Sequence, residues 1–401
     1  STVAGLMLIG TAIAIGLLYL VERINKAKKE YYGGAYIFFV LGFVLVGIVQ
    51  VGVIQYTVKG AGQFDIFFVN SLGFPFFSGF AFFFLLLAVV TWLGLRYAAR
   101  KGLGYLRLAL WCLAFMLIGY STYITTMIRS SADPSVDMYN VDNPMSLAGY
   151  LGREQYGDFP ILYGQTFNAQ IVKYKDAGNR YQKGDKKYNV VGKDIKYVYA
   201  AEDKMIFPRM WDASDDQYHA RYYAFFMNIG PNKDGSGYER GPTFGENIKF
   251  FLSYQTYFMY IRYFMWNFSG RQNDLEGIFT GNVRDGNWIS GISVIDNALY
   301  GDQSALPDSL QNNKAHNKMF MLPFIFGLLG LFYHFRKRGD DATINMLLFM
   351  STGLAIVVYL NQPGYQPRER DYAYAASFYA FSVWIGLAVA YFADLASKWD
   401  E

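Results

Sequence analysis

The chain has 401 residues, 53% of them hydrophobic and 19% aromatic, against only 17% charged. A water-soluble protein of this length carries more charge and fewer Phe and Tyr, so the composition points to a bilayer. The net charge of +4 is small and its Lys and Arg sit beside apolar runs, which argues against a nucleic-acid surface. One cysteine, Cys112, excludes an internal disulfide and a cysteine-based metal site.

Ser1 opens the chain without an initiator Met or a basic leader, so the start reads as cut or processed rather than as a signal peptide. About 20 consecutive apolar residues cross the hydrocarbon core as a helix. Seven stretches approach that length: 2–21, 35–56, 74–95, 106–128, 319–335, 344–360 and 374–395, the fifth and sixth being short. The basic clusters at Arg23–Lys29, Arg96–Arg107 and Arg336–Arg338 fall on one side of a seven-span arrangement, which the positive-inside rule makes cytoplasmic.

The stretch near 248–268, with FFLSYQTYFMYIRYFMWNF, is aromatic throughout but carries Gln255 and Arg262. It is expected to lie in the membrane interface as an amphipathic helix. The polar segment 129–317 is too long for a bare loop, and alternating pieces such as IKYVY at 195–199 read as strands. The expected fold is therefore an α-helical integral membrane protein with about seven transmembrane helices and a mixed α/β periplasmic insertion. Residues 1–128 would supply four spans, 129–317 the insertion and 318–401 three spans.

Four polar constellations stand out. In PRERDYAYAASFYAF (367–381), Arg368, Glu369, Arg370 and Asp371 sit where the chain returns to the membrane. Charges at such depth face a cavity or one another. The arginines suit a phosphate or pyrophosphate, or else an arginine–carboxylate network that ties down the helix end. In GRQND (270–274), Arg271, Asn273 and Asp274 offer groups for a sugar or phosphate, or a helix cap and polar turn. In DNPMSLAGYLGREQYGD (142–158), Asp142 or Asn143 can cap a helix that starts at Pro144, with Arg153 and Glu154 near its end. Between the second and third expected spans, Asp65 and Asn70 stand among aromatic residues, either functional or capping a turn. No phosphate-binding loop, dinucleotide fingerprint, HExxH or GxSxG occurs, and no cofactor or metal site is evident.

Together VNSLGFPF (69–76), DNPMSL with REQYGD, RYFMWNFSGRQND (262–274), GNWISGI (286–292) and the 366–381 motif resemble one family. It comprises multipass proteins of Gram-negative bacteria related to protein O-mannosyltransferases, within the GT-C glycosyltransferase superfamily. The resemblance implies an enzyme that moves a mannose-like sugar from a polyprenyl-phosphate donor to a periplasmic protein at the inner membrane. It implies donor-phosphate contacts from Arg368, Arg370 and Asp371, and sugar or acceptor contacts from Arg271, Asn273, Asp274, Asp65, Arg153 and Glu154. Family members begin with further membrane helices and an acidic loop, FWDCGEF, that holds the expected base. That loop does not occur here, so the chain resembles the later part of a longer protein or a partner of a separate amino-terminal piece. The rival class is a non-catalytic scaffold of an envelope assembly.

Overall fold

A computed structural model describes residues 56–152, 154, 159–214, 218–233, 237–279 and 281–397. The expected span at 2–21, and all but Tyr56 of the one at 35–56, lie outside the described residues. The protein is helical. Among the described residues four helices are long and apolar enough to cross a membrane: Ser78–Arg100, Gly104–Ser130, Gly339–Leu360 and Asp371–Ser397. These coincide with four of the expected spans. The expected span at 319–335 forms a helix of only 16 residues, Leu322–Lys337, so it falls short of that length.

The chain divides into two compact units, 1–158 with 174–197 and 159–173 with 198–401. These cut across the expected three-part division, because the polar segment does not pack as a body of its own. In unit 1, α1 (Thr57–Ile66) runs into a π-helical turn at Phe67–Ser71 and packs against α2 (Ser78–Arg100). α3 (Gly104–Tyr120), part of one of these long apolar helices, has no buried residue. α4 (Tyr123–Ser130) follows after a turn, and α5 (Pro144–Leu151) has the predicted start: Pro144 opens it, and the Asn143 side chain accepts from the amides of Met145 and Ser146 at 3.0 and 3.1 Å.

Four strands come next. Short β1 (Tyr163–Gln165) pairs antiparallel with β4 (Lys204–Ile206), and between them β2 (Ile171–Lys183) and β3 (Tyr188–Tyr199) form a long two-stranded ribbon. The outer part of this ribbon belongs to unit 1.

Unit 2 is built on the aromatic stretch. After α6 (His219–Met227), a capping box at Thr243 and Glu246 starts α7 (Phe244–Phe250). The helix continues through a π segment, Phe251–Ile261, into α8 (Arg262–Phe268). This helix is not an amphipathic strip with its polar residues toward water, as the sequence suggested. Gln255 and Arg262 are 1% and 0% exposed, and Phe250, Tyr254, Tyr260 and Tyr263 are buried with them. Within it Phe250 stacks on Tyr254, and Tyr260 and Phe264 meet Tyr374 and Phe381 edge to face. The polar pair is inside because it has internal partners.

Two further helices flank that core: α9 (Leu322–Lys337) and α10 (Gly339–Thr352). α11 (Leu354–Leu360) and α12 (Ala375–Ser397) complete the unit. α9 and α12 meet closely at small residues. A Cβ on Gly327 would strike the Phe381 ring, and one on Gly330 the Trp384 carbonyl. Gly330→Leu should therefore destabilise unit 2 by about 1–3 kcal/mol, since backbone cannot yield as a flexible side chain can. Thermal unfolding in detergent checks this against Gly386→Leu, a position with open space around it.

Candidate functional site

α11 ends at Asn361, which takes a left-handed conformation (φ 41°) and turns the chain out of the helix. Its side-chain amide donates to the carbonyls of Pro160 and Pro208 at 2.6 and 2.9 Å, and Gln255 donates to its Oδ1 and to the Gln362 carbonyl. The connection to α12 is thus held at its start. Its other end is held by Glu369. Arg262 reaches that carboxylate with both terminal nitrogens, at 3.0 and 2.6 Å. The Tyr263 hydroxyl donates to it at 2.5 Å and the Gly277 amide at 2.9 Å. The same tyrosine oxygen accepts from the Arg370 amide. Arg262 completes its set with the Phe258 and Gly286 carbonyls, and its guanidinium lies 3.8 Å from the Phe258 ring centre. Burial alone would raise the Glu369 pKa. The hydrogen bonds and charge of Arg262, with Tyr263 and Gly277, outweigh it and hold the carboxyl below its usual range.

Above this hub lies a pocket of about 180 Å³. Its buried floor is aromatic, with Tyr222, Tyr254, Phe258 and Tyr263, and its mouth carries the exposed Tyr365, Glu276 and Arg368. The Tyr222 hydroxyl is buried there without a hydrogen-bond partner among the described residues. Burial pushes its pKa up, so it stays a neutral hydroxyl. Flat apolar faces beside carboxylates, a hydroxyl and one guanidinium suit a small polar ring that carries, or is joined to, an anionic group.

The predicted residues do not all gather here. Arg368 lines the pocket and lies 5.9 Å from the Tyr372 ring centre. Arg370, two residues on, does not line it; its Nε is buried without a hydrogen-bond partner among the described residues. Asp371 opens the 3-10 turn Asp371–Tyr374 and makes no ion pair with either arginine among the described residues. Arg271 stacks 4.0 Å over Trp266 and donates to the Asn273 carbonyl. Asn273 is fully buried: it donates to the Arg284 carbonyl and accepts from the amides of Leu275 and Gly286, so it shapes a turn. Asp274 is exposed and accepts from Asn313. None of these three lines the pocket.

In unit 1, Asp65 is also fully buried. It accepts from the amides of Phe77, Gly79 and Phe80 and from the Tyr188 hydroxyl at 2.6 Å, which makes it the remote cap of α2. The oxygens of Asp65 and the amide of Asn273 are taken up by the chain itself, which disfavours the substrate roles expected for them. Glu154 accepts from Tyr139 at 3.3 Å, and Arg153 lies outside the described residues.

A family of unknown function, DUF8416, matches residues 157–252. That match takes in the β2–β3 ribbon and the start of the aromatic helix, and stops short of the 367–381 motif. No curated protein and no solved structure matches the chain.

Sequence reasoning gave too little weight to Arg262, Tyr263 and Tyr222. One signal was available: an arginine inside a run of aromatic residues needs an internal counter-charge. Glu369, 107 residues away in a segment expected to return to the membrane, was a candidate. Nothing in the local pattern of 218–223 marks the Tyr222 hydroxyl as unpartnered.

Proposed function

We propose that this chain is the donor-binding part of a GT-C type membrane glycosyltransferase. In this reading it acts at the periplasmic face of a bacterial inner membrane and serves transfer of a mannose-like sugar from a polyprenyl-phosphate carrier to a protein hydroxyl. One observation carries the proposal: an aromatic pocket with Arg368 and Glu276 at its mouth lies beside the foot of a membrane-length helix, Asp371–Ser397. A lipid-linked sugar needs such a place, where ring, phosphate and lipid meet. The sugar would lie on the aromatic floor, with Tyr222 and Glu276 on its hydroxyls. The acceptor oxygen attacks C1, the bond from C1 to the phosphate oxygen breaks, and Arg368 stabilises the charge left on the phosphate. The acceptor proton goes to a carboxylate outside this sequence.

In the full-length enzyme, Arg368→Ala is expected to lower glycan transfer about a hundredfold. Expression should be unchanged, because the side chain is exposed. Transfer at the normal rate by a well-expressed Arg368→Ala/Arg370→Ala enzyme would rule out the role. A scaffold reading has one observation in its favour: Glu369, the central acid of the motif, is fully engaged in holding the fold. Failure of the purified chain to retain a photoreactive polyprenyl-phosphate mannose would decide for the scaffold.

A further inference from the structure

The β2–β3 ribbon has more exposed apolar surface than a two-stranded sheet can carry alone in water. An isolated hairpin is marginal without a cover on one face. Side chains alternate between faces along a strand. Two cross-strand contacts show which residues share a face: the rings of Tyr174 and Tyr197 lie 5.7 Å apart, and Lys193 pairs with Asp176 at 2.6 Å. That face therefore carries Tyr174, Val191, Ile195 and Tyr197, which are 48–69% exposed, beside the mutually neutralised Asp176–Lys193 pair. Lys173 and Lys175 point to the opposite face. Over 171–199 the ribbon holds eight basic side chains against three acidic ones.

What covers this face follows from where the ribbon is anchored within unit 1. Its turn end is fastened to the segment that leads into α2. The Tyr188 amide and carbonyl pair with the Asn70 side chain at 2.9 Å each, and the Tyr188 hydroxyl binds the Asp65 carboxylate that caps α2. The Lys183 ammonium lies within 5.7 Å of the Phe76 and Phe77 ring centres. α2 is long and apolar enough to cross a bilayer, so its capped N-terminus marks the level of the headgroups. Tyrosine and lysine are the residues that settle at that level, and an excess of positive charge draws anionic lipid.

We propose that the ribbon is a membrane-surface element: its Tyr174–Val191–Ile195–Tyr197 face rests on the bilayer, and the exposed Lys186 and Lys187 at its anchored turn favour anionic headgroups. This inference does not depend on glycosyl transfer. The test uses the full chain in nanodiscs on a Cys112→Ser background. A fluorophore is placed by Tyr174→Cys or, should that variant fold poorly, by Ile195→Cys, with Lys175→Cys as the opposite-face control. In phosphatidylglycerol-containing discs, the probe at 174 or 195 should shift to the blue and be quenched by lipids spin-labelled near the headgroup. It should also be several-fold less sensitive to aqueous iodide than the probe at 175. Pure phosphatidylcholine or high salt should reverse much of this. Equal iodide quenching at 174 and 175 in both lipids would overturn the proposal. Protection that persists in detergent, with cross-linking to a second copy, would assign the face to a protein partner and overturn it as well.

Discussion

Replacing Glu369 by alanine is expected to remove about 3–5 kcal/mol from the stability of unit 2, because Arg262 is then left in the interior without its counter-charge. Arg262 is 0% exposed and Glu369 only 20% exposed at the side chain, so solvent screens the pair poorly. The loss extends beyond one bond. Tyr263 and Gly277 also lose their acceptor, and the segment from Asn361 to Asp371 loses its second anchor. The sign of the pH dependence follows from the depressed carboxyl. Glu369 titrates below its unfolded value of 4.5, so its stabilisation is fully present above about pH 4.5 and is lost as the pH falls through the folded value. The wild-type melting temperature should therefore drop in acid, and the Glu369→Ala protein, already lower, should drop less over that window. A second variant separates a charge effect from general damage. Arg262→Met/Glu369→Leu removes both charges and should recover the part of the loss that comes from the uncompensated Arg262, but not the part from Tyr263 and Gly277. Thermal unfolding of the detergent-solubilised chain reads all three. A Glu369→Ala protein as stable as wild type would show that the ion pair does not hold the segment.

Asp65→Ala should be the corresponding weak point of unit 1, at about 3 kcal/mol or more. Four donors lose one acceptor: the amides of Phe77, Gly79 and Phe80, and the Tyr188 hydroxyl. Each buried donor left without a partner costs about 1–3 kcal/mol, although the first turn of α2 can relax to recover part. The left-handed Phe77 at the start of α2 brings no side-chain cap of its own, so the helix depends on this carboxylate. Tyr188→Phe, which removes one of the four, should cost about 1.5–3 kcal/mol. Hydrogen exchange is the discriminating measurement. Amides at 183–190 and at the start of α2 should exchange faster in Asp65→Ala, while those of α8 in unit 2 stay protected. Uniform change across both units, or none, would refute the assignment.

The legible features were those written in local pattern. Unbroken apolar runs reveal a membrane-length helix because a spanning helix must satisfy every backbone group internally, whatever surrounds it. Thus the expected spans at 74–95, 106–128, 344–360 and 374–395 all meet membrane-length helices. The start of α5 was legible for the same reason, since Asn143 and Pro144 act within one turn. The segment 319–335 looked like a fifth such helix. Its glycines serve close packing against α12, and the helix begins only at Leu322.

Partnership across long separations was not legible. The arginine–carboxylate network foreseen for 367–371 exists, but it joins Glu369 to Arg262 rather than the motif's own arginines and Asp371 to one another. A charge flanked by aromatic residues reads the same in sequence whether it snorkels at an interface or is buried against a carboxylate. Gln255 and Arg262 therefore read as a polar face, and Asp65 and Asn273 as either ligands or parts of a capped turn. By itself the sequence determined the membrane class, four long helices and the sites where charge had to be answered. The tertiary structure alone decided which charge answers which, that Arg368 and not Arg271 or Arg370 lines the pocket, and that Asp65 caps a helix. The physical reason is that burial and pairing are properties of neighbours in space, and the groups concerned lie up to 123 positions apart along the chain.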